Sequence, residues 1–306
     1  MVNNSTMDEK HLIELIDSIV GTDPSNLLGN NEDAIAVQIE NSRLVINIDG
    51  WVASTDRIPG FSFYDCGYRA AINSMSDIYA KGAKPQFLVA SLSLPSSDTT
   101  GLEEIVTGIK SAAENYNVKY LGGDLNEAKD LIIDVVVIGI VQKTLVSRKS
   151  AKVGDDLYWL GPPLGENAAA FGILLNNWSG NKSDALDILR NPKLYPQFLD
   201  LYPSSAIDCS DGLARSLHIL ATESKVGIDL ILPNKGTKFV SEVVTNNQEQ
   251  LVDLMLYGGE ELGIVFTSPS INEIPNSCIR IGKITNTNQI IFDGQPVPNR
   301  GWDHFA

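Results

Sequence analysis

The chain is poor in several features that commonly carry function. It has only three cysteines, Cys66, Cys209 and Cys278. They lie far apart and form no CxxC pair, which argues against a disulfide framework or a thiolate zinc site and for buried, reduced thiols. It has three histidines, His11, His218 and His304, and no G-x-S-x-G segment. A serine-hydrolase triad is therefore disfavoured, and His11 and His218, set in apolar helical stretches, read as structural. Basic residues are outnumbered, with 23 Lys and Arg against 38 Asp and Glu and a formal charge of −15. Nucleic acids and anionic membranes need clustered Lys and Arg, so neither is an expected partner. Long hydrophobic runs are missing as well. The most apolar stretch, Leu131 to Val141, is short and broken by Asp134, and Met1 to Val20 has no basic segment leading into an apolar one. No membrane span or signal peptide is expected, and the expected location is cytoplasmic. Finally, there is no G-x-x-x-x-G-K-[ST] and no kinase glycine-rich loop with its strand lysine. Any nucleotide site must be of another type.

At 306 residues the chain exceeds the usual single core, so two domains are the natural expectation. Thr6-Met7-Asp8-Glu9 has the form of a capping box before a helix carrying Leu12, Leu15, Ile16, Ile19 and Val20. Two strand-like runs follow, Ala34 to Ile39 and Leu44 to Ile48. Asp65 is placed to cap a second helix whose apolar face is Tyr68, Ala71, Ile72, Met75, Ile78 and Tyr79. Phe87 to Leu94 reads as a strand, Leu102 to Tyr116 as a helix, Val118 to Leu121 as a short strand and Leu131 to Val141 as a long one. The polar segment Lys143 to Asp155 marks a boundary, giving domains at 1–146 and 147–306. Beyond it come strands at Asp156 to Leu160, Ala206 to Ile207, Ile228 to Leu232, Leu262 to Phe266 and Ile279 to Ile284, and a helix over Leu213 to Thr222. Strands and helices mix without a strict βαβ beat, so the fold class is α/β of the α+β type, in two domains.

What the chain does have is carboxylates at places where strands give way to turns. These are Glu32-Asp33, Asp49-Gly50, Gly123-Asp124 and Asp208 with Asp211-Gly212, while Asp77 sits on the polar side of the second helix. Any one of them suits a turn for local reasons. As a set, converging on one cleft, they suit divalent metal ions, which want hard oxygen ligands and are shared with substrate phosphates. Such ions reverse the sign of an otherwise repulsive field and admit anionic substrates. Gly122-Gly123 would let backbone approach a phosphate or sugar, and Arg148 offers a planar fork for phosphate oxygens.

These segments resemble a known family. Gly29-Asn30-Asn31-Glu32-Asp33-Ala34 is similar to the G-x-G-D-D-A segment of the thiamine-monophosphate kinases, within the aminoimidazole ribonucleotide synthetase superfamily. Ile48-Asp49 resembles the end of their S-T-D segment, and Asn73 to Ala83 their N-x-S-D-x-x-A-M-G-A helix. Gly122-Gly123-Asp124, Arg148 to Asp155, Ile207 to Leu213, Gly258-Gly259-Glu260 and Gly301-Trp302-Asp303-His304-Phe305 resemble G-G-D, R-S-G-A-K-x-G-D, I-D-x-S-D-G-L, G-G-E and G-[YW]-D-H-F. The resemblance implies an N-terminal domain that pairs in a homodimer, a C-terminal α/β domain, and ATP-dependent phosphorylation of thiamine monophosphate with several Mg2+ ions. It implies metal ligands at Asp33, Asp49, Asp77, Asp124, Asp208 and Asp211. ATP contacts would fall at Tyr116, Gly123, Asp124, Arg148 and Ser210, and acceptor contacts at Asp56, Glu260 and Trp302. Asp49, Asp124, Arg148 and Asp211 would be catalytic. The chain departs from the pattern at Asn47-Ile48, at Asp56, where the family has His, and at Glu261 to Ile264. Another ATP-dependent kinase or synthetase of the superfamily, or a nucleotide-binding paralogue without catalysis, is the alternative.

Overall fold

The computed structural model describes residues 9–95, 99–244, 248–270 and 273–303. Thr6, Met7 and Asp8 of the expected capping box, and His304 and Phe305, lie outside them.

The first part of the chain runs α1 (Glu9–Val20), β1 (Ile35–Ile39), β2 (Ser42–Val52), α2 (Ala53–Asp56), α3 (Phe63–Ala80), β3 (Ala83–Leu94), α4 (Thr99–Asn115), β4 (Lys119–Glu127) and β5 (Ile132–Val141). The strands form a five-stranded sheet in the order β1-β2-β5-β3-β4, antiparallel except for the β3/β4 pair. Period-two alternation in β5 buries Ile133, Val135 and Val137 on one face. Helices α3 and α4 cover that face. They cross at backbone distance, since a Cβ on Gly67 would lie 2.2 Å from the Ile105 carbonyl oxygen and one on Gly108 would lie 2.1 Å from that of Tyr64. The other face is open and apolar. Register places Ile46, Ile138 and Phe87 in one row across it and Ile48, Val136 and Val89 in the next, with Ile48 67% exposed. Helix α1 turns its apolar residues outward too, so Ile16, Ile19 and Val20 are exposed.

Two sequence readings change here. The N-cap of α3 is Ser62, one turn earlier than Asp65; Asp65 is the third helical residue and closes a capping box, accepting the Ser62 N–H at 2.8 Å. Strands β2 and β4 run further than their apolar runs indicate. Asp49-Gly50 and Gly122-Gly123-Asp124 therefore lie inside strands and not at turns, because ladder partners carry the chain through polar residues that no hydrophobic pattern marks.

The second part contains β6 (Asp156–Leu160), α5 (Glu166–Leu175), α6 (Lys182–Arg190), a 3₁₀ turn (Pro196–Asp200), β7 (Ser205–Cys209), α7 (Leu213–Ser224), β8 (Gly227–Leu230), α8 (Lys238–Val243), α9 (Gln248–Tyr257), β9 (Gly263–Ser268), β10 (Ile279–Thr285), β11 (Ile290–Phe292) and β12 (Gln295–Pro296). The sheet order is β12-β11-β8-β10-β6-β9-β7. Helix α5 escapes a periodicity reading because its sequence, ENAAAFGILL, is apolar nearly all round.

The two sheets are joined by a buried lysine. Lys81 follows the last turn of α3 and is fully buried, with its Nζ 2.6 Å from Glu32 Oε2, 2.6 Å from Asp33 Oδ2 and 3.5 Å from the Ala206 carbonyl of β7. The Ser147 hydroxyl donates to Glu32, and the Arg148 amide donates to the same carboxylate at 3.1 Å. The segment crossing between the sheets is thus clamped to the loop before β1.

A second buried acid ties the start of β9 to α5. One oxygen of Glu261 accepts the Gly165 amide at 2.9 Å and the other has no hydrogen-bond partner. Burial, reinforced by Glu166 and only partly offset by the Gly165 amide, pushes this carboxyl up to about 8. The folded chain therefore keeps a proton that the unfolded chain has already lost. The stability this confers is fully present below the unfolded value near 4.5 and is lost as pH rises through about 8. Glu261→Gln keeps the acceptor and removes the charge. Its urea-unfolding free energy should fall less than that of the parent between pH 5 and 8.5, by up to a few kcal/mol. Parallel pH profiles for the two proteins would contradict this.

Candidate active site

Three of the predicted carboxylates meet where the sheets face each other. Asp33 comes from the loop before β1, Asp77 from the last turn of α3 and Asp208 from β7, and one oxygen from each lies within 4.8 Å of the others. Asn47 of β2 holds Asp77, donating to its Oδ2 at 2.6 Å and to the Ser74 carbonyl at 3.3 Å. Burial raises Asp77 well above the carboxylate range, and the charges of Asp208, Asp33 and Asp49 add to it. Burial, with Asp33 and Asp211 adding, brings Asp208 up to about 8. Asp33 is driven the other way: burial opposes its ionisation, but Lys81 and Arg148 outweigh it and hold the acid low. Burial and mutual repulsion favour the neutral form of a carboxyl within the Asp77 and Asp208 pair. Asp49 and Asp211 thus stand close enough for their fields to be felt.

Asp124 is not brought into this group. Its ladder row runs through Ser91 of β3 and Asp134 of β5 to Gly50. Asp49 lies one step along, in the row of Val135 and Ala90, and so projects from the opposite face. Asn126, two residues on, holds Asp124 at 2.8 Å.

Beside the acid group opens a cleft of about 920 Å³ walled by Asp33, Arg148, Asp208, Ser210, Asp211 and Arg215, with α1 and Asn299, Arg300, Gly301 and Asp303 along its rim. Arg148 donates through Nη1 to Asp33 Oδ1 at 2.8 Å, while its buried Nε has no partner among the described residues. Its carbonyl accepts from Ser224 at 3.0 Å, which fixes the backbone behind the fork. Strand β7 passes into α7 through Gly212, whose φ of +106° few residues tolerate and whose Cβ would lie 2.8 Å from the Gly258 carbonyl. No side chain caps α7, so its first amides keep their anion-binding capacity.

Glu260 sits in a strained turn, with φ of +63° at Glu260 and +51° at Leu262. Three contacts enforce it: the Glu260 amide donates to the Ser210 carbonyl, the Leu262 amide to the Cys209 carbonyl at 2.9 Å, and Asn167 to the Glu260 carbonyl. The Glu260 side chain pairs with Arg69, a buried residue of α3 that also donates to the Leu189 carbonyl. Trp302 is 53% exposed; its amide donates to the Asp211 carbonyl at 3.0 Å and its own carbonyl accepts from Arg215. Its backbone is thus tied to the cleft wall at Asp211 and Arg215. Two other predicted contacts are engaged elsewhere. Asp56 accepts the Val52 amide at 2.7 Å within its own turn, and the Tyr116 hydroxyl accepts the Leu194 amide at 2.8 Å, away from the cleft wall. Gly123 is required by its neighbour, since a Cβ there would lie 1.7 Å from the Ala90 carbonyl oxygen.

Sequence reasoning missed Lys81, Arg69 and Arg215. Lys81 left one signal, a lone lysine in the otherwise apolar run Ile78-Tyr79-Ala80-Lys81-Gly82-Ala83, although a cation at a helix C-terminus has an ordinary explanation. The donors of the three-residue group are all carboxylate oxygens. Such a set fits Mg2+ and suits neither zinc nor copper.

Residues 31–141 match the model of the AIR synthase related protein N-terminal domain. A thiamine-monophosphate kinase of Escherichia coli O157:H7 is 32% identical over 91% of this chain and 92% of its own length. One from Nitrosopumilus maritimus is 28% identical over 98% and 99%. Among solved structures, AaThiL complexed with AMPPCP and TMP superposes with a TM-score of 0.88 at 24% identity, covering 100% of this chain and 99% of that one. A protein from Thermus thermophilus gives 0.85 at 26% identity, over 95% and 98%. On the strength of the near full-length relationship to the Escherichia coli enzyme, this chain belongs to the thiamine-monophosphate kinase family.

Proposed function

We propose that the chain transfers the γ-phosphoryl group of ATP to the phosphate of thiamine monophosphate, giving thiamine diphosphate. The observation that carries this reading is the Asp33, Asp77 and Asp208 group standing beside Arg148 at the wall of a 920 Å³ cleft. The relatives named above support the choice of substrates. Asp33, Asp77 and Asp208 would hold Mg2+, with Asp49 and Asp211 next to them, and the bound ions would neutralise phosphate charge. In the chain itself, the unpartnered Nε of Arg148 is free to donate to a phosphate oxygen as the ligand enters. Ser210 and the uncapped amides of α7 receive the nucleotide's phosphates at the same wall. The acceptor's phosphate is already ionised at neutral pH, so no general base is required. Catalysis then consists of in-line alignment and charge neutralisation, which suits a site rich in Asp and without His among its carboxylate group. Glu260, oriented by Arg69, and the indole of Trp302 would take the acceptor, the ring lying over the cationic thiazolium.

Two further expectations belong to the same reading. The open apolar rows of the first sheet, Ile46, Ile138 and Phe87 beside Ile48, Val136 and Val89, would be covered by a second copy of the chain, giving a homodimer. The chain would divide at residues 1–146 and 147–306, a placement supported by the change of sheet between Val141 and Asp156. A cytoplasmic setting accords with three free thiols, of which burial lifts Cys66 up to about 11 and Cys209 well above its usual value. No described helix is long and apolar enough to cross a membrane.

Incubation with ATP, Mg2+ and thiamine monophosphate should yield thiamine diphosphate by mass, and excess chelator should abolish it; turnover that survives chelation contradicts the metal role. Arg148→Lys keeps the charge but loses the planar fork, so ATP affinity should drop about tenfold by calorimetry while the melting temperature holds. Unchanged affinity would assign Arg148 to the Asp33 ion pair alone. Trp302→Ala should raise the acceptor's KM about five- to thirtyfold, equivalent to roughly 1–2 kcal/mol, with ATP parameters nearly constant. A variant that weakens both substrates and melts earlier would point to a packing role.

A further inference from the structure

We propose that the Lys81 ammonium is a resident cation of the site, occupying the place between Glu32 and Asp33 that a divalent ion would otherwise take, so that metal ions load only on the other side of Asp33, against Asp77 and Asp208. The inference rests on the reading of the acid group as a metal site and adds what this chain has built into it. Lys81 is fully buried, and the Glu32 side chain is only 1% exposed. The ammonium stands 2.6 Å from an oxygen of each carboxylate and 3.5 Å from the Ala206 carbonyl, so three oxygens of different residues surround it. Both oxygens of Asp33 face cations: Oδ2 stands 2.6 Å from Lys81 Nζ without a hydrogen bond among the described residues, and Oδ1 accepts from Arg148 at 2.8 Å. Yet Asp33 also lies within 4.8 Å of Asp77 and Asp208, so a metal ion on those two would compete with the ammonium for one shared carboxylate. Two cations drawn to the same oxygen repel each other strongly in a buried setting. The ammonium, tethered by its own backbone, has no entropy of release and cannot be removed by a chelator.

An uncharged side chain of similar length would reverse this. In Lys81→Met, Glu32 and Asp33 would lose their shared buried cation, a condition a divalent ion can relieve. The probe is Mn2+ alone, counted by the loss of the free-ion electron paramagnetic resonance signal, with melting temperature measured in parallel in chelator and in Mn2+. Lys81→Met should bind one more Mn2+ per chain than the parent. Its melting temperature should fall in chelator and recover in Mn2+ by more than the parent's changes between the two conditions. A second variant, Lys81→Met with Glu32→Gln, leaves only Asp33, still paired with Arg148; it should fold in chelator and still gain the ion. Equal, non-zero Mn2+ counts in all three proteins would overturn the resident-cation proposal and leave the proposed function standing. Absence of bound Mn2+ in every protein would overturn the metal-site reading and this proposal with it. If neither variant folds even in Mn2+, metal does not replace the ammonium, and the proposal fails on that result.

Discussion

The contact between Lys81 and the Glu32-Asp33 pair organises the rest of the molecule. It joins the end of α3, the loop before β1, the segment leading out of the first sheet, and β7 of the second. A lysine in that position is tolerable only because two carboxylates and a carbonyl surround it; removing either partner of such a buried pair typically costs about 3–5 kcal/mol. The same contact keeps Asp33 ionised, and its other oxygen meets Arg148, so the joint between the sheets and the floor of the cleft are one structure.

Around that joint the chain accumulates conditions that folding alone does not reward. Asp77 and Asp208 are buried and crowded so that both carboxyls are pushed up, Glu260 and Leu262 are held at positive φ, and one N–H of Arg148 is buried without a partner among the described residues. Each costs stability, and all gather along β7 and the segments bonded to it. Under the proposed function, cations and phosphates would discharge that repulsion and meet the unpartnered N–H when they bind. The rest of the first sheet is held by helices that cross at glycines and by one covered face.

The open face of the first sheet and the outward apolar residues of α1 obey the same logic on a larger scale. Strand register leaves rows of Ile, Val and Phe without a cover among the described residues, and the proposed pairing of two copies would take them out of water. The acid group lies on the other side of that sheet, so an assembly across the open face would not obstruct the cleft.

By itself the sequence determined the composition of the site and the order of most of the elements that carry it. The strand at Asp156–Leu160, the helix beginning at Leu213 and the amphipathic α3 follow from period and punctuation, which are local. The acidic residues stood out because Asp beside Gly in alternating apolar surroundings is a local pattern too. Tertiary structure decided which of them meet. Asp33, Asp77 and Asp208 converge from a loop, a helix and a strand far apart in the chain, whereas Asp124 is turned to the opposite face by a ladder register that no local pattern encodes. Only the folded chain decided the roles of Lys81 and Arg69. A basic side chain on a helix reads as solvated until long-range packing buries it, and its meaning is then set by the carboxylates that distant segments bring to it.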